Sequence, residues 1–205
     1  MSSEFFISLL TIIGIDIVLG GDNAIVVALA CRNLPAHLRN KAMIAGIMLA
    51  IVARAGLTLI AVQLLSIPYS MPIGGAILLW IAFRLLTGKE EEHEISGEAK
   101  VFDAIKTIVI ADVVMGFDNV LAVAGAADGN GVLVLLGLLI SLPIIIWGSK
   151  LILYLMNKYA YIIYIGAGIL VYTSAKMILH EEIIVDFIYH IGLNNTFFTL
   201  FLITI

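Results

Sequence analysis

One cysteine, four prolines, four histidines and only 13% charged residues in a chain of 205 are poor material for a disulfide scaffold or a histidine-cysteine metal knuckle. Cys31 has no second thiol to pair with, and its place beside Arg32 marks the end of a helix. No glycine-rich loop leads into a Lys-Ser or Lys-Thr pair, which argues against direct ATP-driven pumping by this chain. The start, Met1-Ser2-Ser3-Glu4, lacks the basic stretch and small-residue cleavage site of a secretory signal, so the first apolar run is expected to stay as a helix. The net charge of −4 comes largely from one run, Lys89-Glu90-Glu91-Glu92-His93-Glu94, which reads as a solvated connector. No nucleic-acid partner is expected.

What the chain has in quantity is apolar surface. Hydrophobic residues make up 62% of it and the mean hydropathy is +1.13, beyond the range of ordinary soluble domains. A helix rising about 1.5 Å per residue needs roughly 20 residues to cross a hydrocarbon core about 30 Å thick. Apolar runs of about that length are predicted at residues 5 to 30, 42 to 64, 71 to 88, 104 to 126, 132 to 156, 160 to 179 and 186 to 205. The expected fold is an all-α membrane protein of about seven transmembrane helices.

Basic residues set its direction. Arg32, Arg39 and Lys41 follow the first span, Arg84, Lys89, Lys100 and Lys106 surround the third loop, and Lys158 follows the fifth span. The loops at 66–70 and 127–131 have no lysine or arginine. The positive-inside rule then places the odd-numbered loops in the cytoplasm and the N-terminus outside.

A shift of 96 residues lays Ile15-Asp16-Ile17-Val18-Leu19-Gly20-Gly21-Asp22-Asn23 over Ala111-Asp112-Val113-Val114-Met115-Gly116-Phe117-Asp118-Asn119, and Arg54 over Lys150. A shift of 92 lays Ile73-Gly74-Gly75 over Ile165-Gly166-Ala167, and Arg84 over Lys176. Each copy holds three predicted helices, and an odd number forces the second copy to enter from the opposite side of the membrane. The expected organisation is therefore a 3+3 inverted repeat in a single transporter domain over 1–205. Repeat one covers 1–88, an acidic cytoplasmic loop 89–100, repeat two 101–180, and an extra helix 186–205 has no counterpart. Secondary transporters commonly have this build, with their site at the midplane between the copies.

The repeated segment also carries the chemistry. Asp16, Asp22, Asp112 and Asp118 lie in runs where an ionised carboxylate costs about 2.5–3.5 kcal/mol on insertion scales, so they are expected to face an ion path. With Asn23 and Asn119 they form a hard oxygen donor set suited to Mg²⁺, Ca²⁺ or Mn²⁺, and Met115, three residues after Asp112, would favour a softer ion such as Mn²⁺. On an unbroken helix Asp22 would point away from Asp16 and Asn23. Gly20, Gly21 and Gly116 are therefore expected to break the helices and turn these groups together, or to permit close helix packing. Arg54 and Lys150 are the expected charge-balancing or coupling groups, because four ionised aspartates against these two leave a deficit that one divalent cation neutralises. When the metal leaves, the aspartates are expected to pair with Arg54 and Lys150 or to take up protons, which would couple transport to protons.

Gly20-Gly21-Asp22-Asn23 after Asp16, and Gly116-Phe117-Asp118-Asn119 after Asp112, closely resemble the paired segments of the TerC family of bacterial integral membrane proteins. The likeness extends over the whole chain, including the Leu34-Pro35 loop and the Ile73-Gly74-Gly75 start of the third span. That family is grouped with the lysine-exporter superfamily, and members of this single-domain type are described as manganese exporters of the plasma membrane. The resemblance implies that Asp16, Asp22, Asn23, Asp112, Asp118 and Asn119 form the metal path, with Mn²⁺ as substrate and no resident cofactor. Two rivals stand beside it: an exporter of an amino acid or small organic cation, whose amine needs about one counter-ion, and an intramembrane aspartyl enzyme with a proton-sharing dyad. The density of carboxylates speaks against the first and the duplicated motif against the second. Oligomeric state is not legible.

Overall fold

The computed structural model describes residues 3–60, 69–87, 97–127 and 130–180, and within these the chain is entirely helical. Among the described residues seven helices follow one another: α1 (Ser3–Leu19), α2 (Gly21–Cys31), α3 (Ala36–Leu59), α4 (Ser70–Thr87), α5 (Gly97–Ala127), α6 (Gly131–Lys158) and α7 (Tyr161–Ile178). Helices α3, α4, α6 and α7 are each long and apolar enough to cross a membrane, and α1 with α2 make a fifth such unit, bent by 50°. The chain is thus an integral, multi-pass membrane protein. The predicted span at 186–205 lies outside the described residues, as does most of the acidic connector. Its end at residue 100 is corrected by α5, which already begins at Gly97 and carries Lys100 and Lys106 into its first turns.

Local signals account for the ends. Pro35 precedes α3, where its fixed φ suits a helix entry and its missing N–H leaves no helical donor unpaired. Asn130 caps α6, its side-chain oxygen accepting from the N–H groups of Val132 and Leu133 at 3.1 and 3.3 Å. Arg39 reaches back to the end of α2, donating from Nε to the Leu34 carbonyl at 2.8 Å and from Nη2 to the Arg32 carbonyl at 2.9 Å. Outward faces are apolar: Val18, Trp147 and Tyr164 are each more than two-thirds exposed, a surface that lipid covers and water would not.

Small residues draw the helices together. α3 packs on α5, α1 and α2 pack on α6, α4 packs on α7, and α5 also lies against α1 and α2. A methyl group at Gly46 of α3 would meet Ile108 of α5 at 2.8 Å, and one at Gly137 of α6 would meet Ile12 of α1 at 2.4 Å. At the α4–α7 contact a methyl on Gly75 would meet the Ser174 carbonyl oxygen at 2.7 Å, while Ser174 Oγ donates to the Gly75 carbonyl at 2.6 Å. Without a hydrophobic drive inside lipid, close backbone approach and hydrogen bonds of this kind hold the bundle.

Candidate functional site

The first membrane unit breaks at Gly20, which is buried and has φ −95° and ψ 5°. These angles are open to any residue. What demands glycine is space, because a Cβ here would lie 2.2 Å from the Asp16 carbonyl oxygen. The break starts α2 afresh at Gly21 and puts Asp22 in its first turn, where the helix dipole favours a carboxylate; its Oδ1 accepts from the Asn23 N–H at 3.0 Å. Asn23, one residue on, turns inward and is buried.

Helix α5 carries the second copy of the motif without a break. It runs continuously past Gly116, where sequence reasoning places an interruption. Gly116 instead makes room for a neighbour: a Cβ there would stand 3.3 Å from Arg54 Nε. The glycine of the second motif is thus a recess for a side chain from α3 rather than a hinge.

Arg54 is the centre of the arrangement, buried to 4% exposure in the middle of an apolar helix. Its guanidinium bridges the two motifs. Nη1 donates to Asp16 Oδ1 at 2.5 Å, Nε donates to Asp112 Oδ2 at 3.1 Å, and Nη2 donates to Asp112 Oδ1. Asp112 therefore receives the two-pronged fork that only arginine offers, and Asp16 a single prong. The remaining oxygen of Asp16 is met by Ser141 Oγ from α6, whose hydroxyl also lies 2.9 Å from the Leu138 carbonyl. The one Ser141 proton can serve one acceptor at a time, and a carboxylate is the stronger.

Asp16, Asn23, Arg54 and Asp112 line a single cavity with Val26, Val27, Ile47, Ile51 and other apolar residues of four helices. It offers about 20 Å³, room for one water or one bare cation. The Asn23 side chain is buried against it, and neither its Oδ1 nor its Nδ2 has a hydrogen-bond partner. Leaving such a group unsatisfied costs about 1–3 kcal/mol, which a water or cation in the cavity would offset.

The other anticipated groups lie elsewhere. Asp22 is half-buried, does not line the cavity, and is close enough to Arg54 and Asp112 to interact through space. Met115 is buried in the apolar core and Asn119 is half-buried on α5. Asp118 lies on α5, with its side chain outside the described set. Lys150 is exposed, so the two basic residues paired by the repeat have different settings. Among the described residues no three carboxylate, histidine or cysteine groups gather around one metal-sized point. Sequence reasoning missed Ser141; the 96-residue shift lays it over Ala45, so the repeat gives no signal there.

The family model described as "Integral membrane protein TerC family" matches residues 1–205. The chain is 47% identical over 182 residues to the uncharacterized membrane protein YjbE of Bacillus subtilis, covering 89% of this chain and 84% of that one. It is 27% identical over 205 residues to the uncharacterized membrane protein YkoY of the same organism, covering 86% of this chain and 62% of that one. To the UPF0053 inner membrane protein YoaE of Escherichia coli K12 it is 25% identical over 198 residues, covering 87% of this chain but 38% of the longer relative. No solved structure matches it.

Proposed function

The chain belongs to the TerC family of integral membrane proteins, and from that premise we propose that it is a secondary transporter exporting a divalent metal cation, manganese first, across the bacterial plasma membrane. The observation that carries this reading is a pair of carboxylates on α1 and α5, Asp16 buried and Asp112 half-buried, held by one guanidinium beside an unpartnered Asn23 amide and a cation-sized cavity. Buried carboxylates in a membrane bundle mark ion paths, and carboxylate with amide oxygen is a donor set for hard cations. Manganese and the outward direction rest on the family resemblance. By the family resemblance Asp22, Asp118 and Asn119 belong to the proposed metal path, and Met115 is assigned to it as a softer ligand.

The same reading takes the bundle as an inverted repeat. Its support is an exchange of contacts: Ile12 and Ile108, 96 residues apart, each press on a glycine of the other half, Gly137 and Gly46. The contact of α3 with α5 has its counterpart in that of α1 and α2 with α6, and α4 packs on its own counterpart α7. With the basic loops inside, the N-terminus faces outward.

One observation favours a second reading. Two carboxylates already hold a guanidinium, so an exporter of a small organic cation fits the same site. A proton-sharing aspartyl dyad is less well served, because Arg54 stands between the two carboxylates. The test is elemental analysis of manganese-sensitive cells expressing wild type, Asp16→Asn or Asp112→Asn at matched membrane levels. Lower cell manganese with wild type alone supports metal export; unchanged metals with altered amine or amino-acid content moves the organic reading ahead.

A further inference from the structure

We infer that Arg54 is an internal competitor for the transported cation, holding Asp16 and Asp112 by turns with the cargo; this rests on the metal-transport reading of the site. In the arrangement seen here, both Asp112 oxygens and Asp16 Oδ1 receive guanidinium donors, and Asp16 Oδ2 is met by Ser141. No oxygen of these two carboxylates is left without a hydrogen-bonding partner. Each of these oxygens keeps a second lone pair, but a divalent cation placed there would lie beside the guanidinium charge in a low-dielectric interior, so tight metal binding requires the guanidinium to withdraw.

The rest of the cavity describes the other half of the exchange. Asn23 is buried with its Oδ1 and Nδ2 unused, so the group best suited to greet a cation is the one Arg54 does not satisfy. Asp22, next in the chain to the cavity-lining Asn23, lies within electrostatic reach of Arg54 and offers a withdrawn guanidinium an anionic neighbour. Gly116 leaves the space in which the guanidinium lies when it is home.

The competitor answers a physical need. A carrier must reset without its cargo, and buried Asp16 with half-buried Asp112 and no cation near them would resist every step that keeps them from water. Arg54 supplies that cation from the protein itself. Lys150 cannot share this task, since its side chain is exposed.

The experiment measures Mn²⁺ binding to purified protein by the loss of the free-ion electron paramagnetic resonance signal, in wild type, Arg54→Ala and Arg54→Lys, together with export from cells. Lysine keeps the charge but lacks the fork, which leaves a folded variant to read should alanine fail to fold. Arg54→Ala is expected to bind Mn²⁺ about tenfold more tightly than wild type and Arg54→Lys, with its charge kept, by a smaller factor, while net export falls in both; millimolar guanidinium should weaken Mn²⁺ binding to Arg54→Ala. If wild type binds Mn²⁺ and the folded variants bind it equally or more weakly, the competitor role is wrong and the metal site stands. If no variant binds Mn²⁺, the metal reading fails and takes this inference with it.

Discussion

Replacing Gly20 by alanine isolates a purely steric requirement at the bend. The φ and ψ of Gly20 lie in the bridge region that non-glycine residues also adopt, so glycine's freedom at positive φ is not what the bend requires. The new methyl carbon would stand 2.2 Å from the Asp16 carbonyl oxygen and 3.7 Å from Asn23 Nδ2. An ordinary carbon–oxygen contact needs about 3.2 Å or more, so the backbone must give by about 1 Å, and overpacking of this kind costs typically about 1–3 kcal/mol. The displacement falls between Asp16 and Asn23, the two cavity groups carried by α1 and α2, so export should be lost beyond what the stability loss explains. Gly21→Ala is the control: nothing lies within 4 Å of its added methyl, and at the first position of α2 the exchange should change stability little. Thermal unfolding of both purified variants, with manganese export at matched expression, reads the difference. Equal melting temperatures and equal export for the two variants would refute the steric account of the bend.

Asp112→Ala should destabilise the protein by about 3–5 kcal/mol, because it leaves Arg54 buried without its fork, and Arg54→Met in the same chain should recover part of that loss in a double-mutant unfolding cycle. Ser141→Ala should lower stability by about 1.5–3 kcal/mol through the lost bond to a charged carboxylate, whereas Ser149→Ala, whose hydroxyl only returns to the Ile145 carbonyl, should change it little; denaturation of the two variants side by side checks this. Lys150→Gln should leave metal export unchanged, since the side chain is exposed, and an export defect equal to that of an Arg54 variant would show that the repeat-based pairing of these residues has functional weight. Gly75→Ala should push α4 away from α7 and weaken the Ser174 bond, seen as a lower melting temperature with metal affinity retained.

Much of the architecture could be read from the residues because lipid leaves the backbone few choices. Segments near 42–64, 71–88, 132–156 and 160–179 overlap helices α3, α4, α6 and α7, since a long apolar run in hydrocarbon must satisfy its own hydrogen bonds as a helix. The boundaries were less legible: α3 starts at Ala36 and α5 at Gly97, because polar residues extend a helix into water without an apolar signal.

The site divides along the same line. Local composition by itself singled out Asp16, Asn23, Arg54 and Asp112, since a polar group in an apolar run announces its cost wherever the run folds. It also gave equal standing to residues that the packing treats differently. Only the tertiary structure decided that Arg54 bridges both aspartates while Lys150 stays exposed, that Gly20 bends the chain while Gly116 makes room for a guanidinium, and that Ser141 completes Asp16. The reason is that a repeat copies residue types, whereas the partners of Arg54, Gly116 and Ser141 depend on which helix arrives opposite, more than 35 residues away along the chain; the Gly20 bend alone is set locally, by the Asp16 carbonyl.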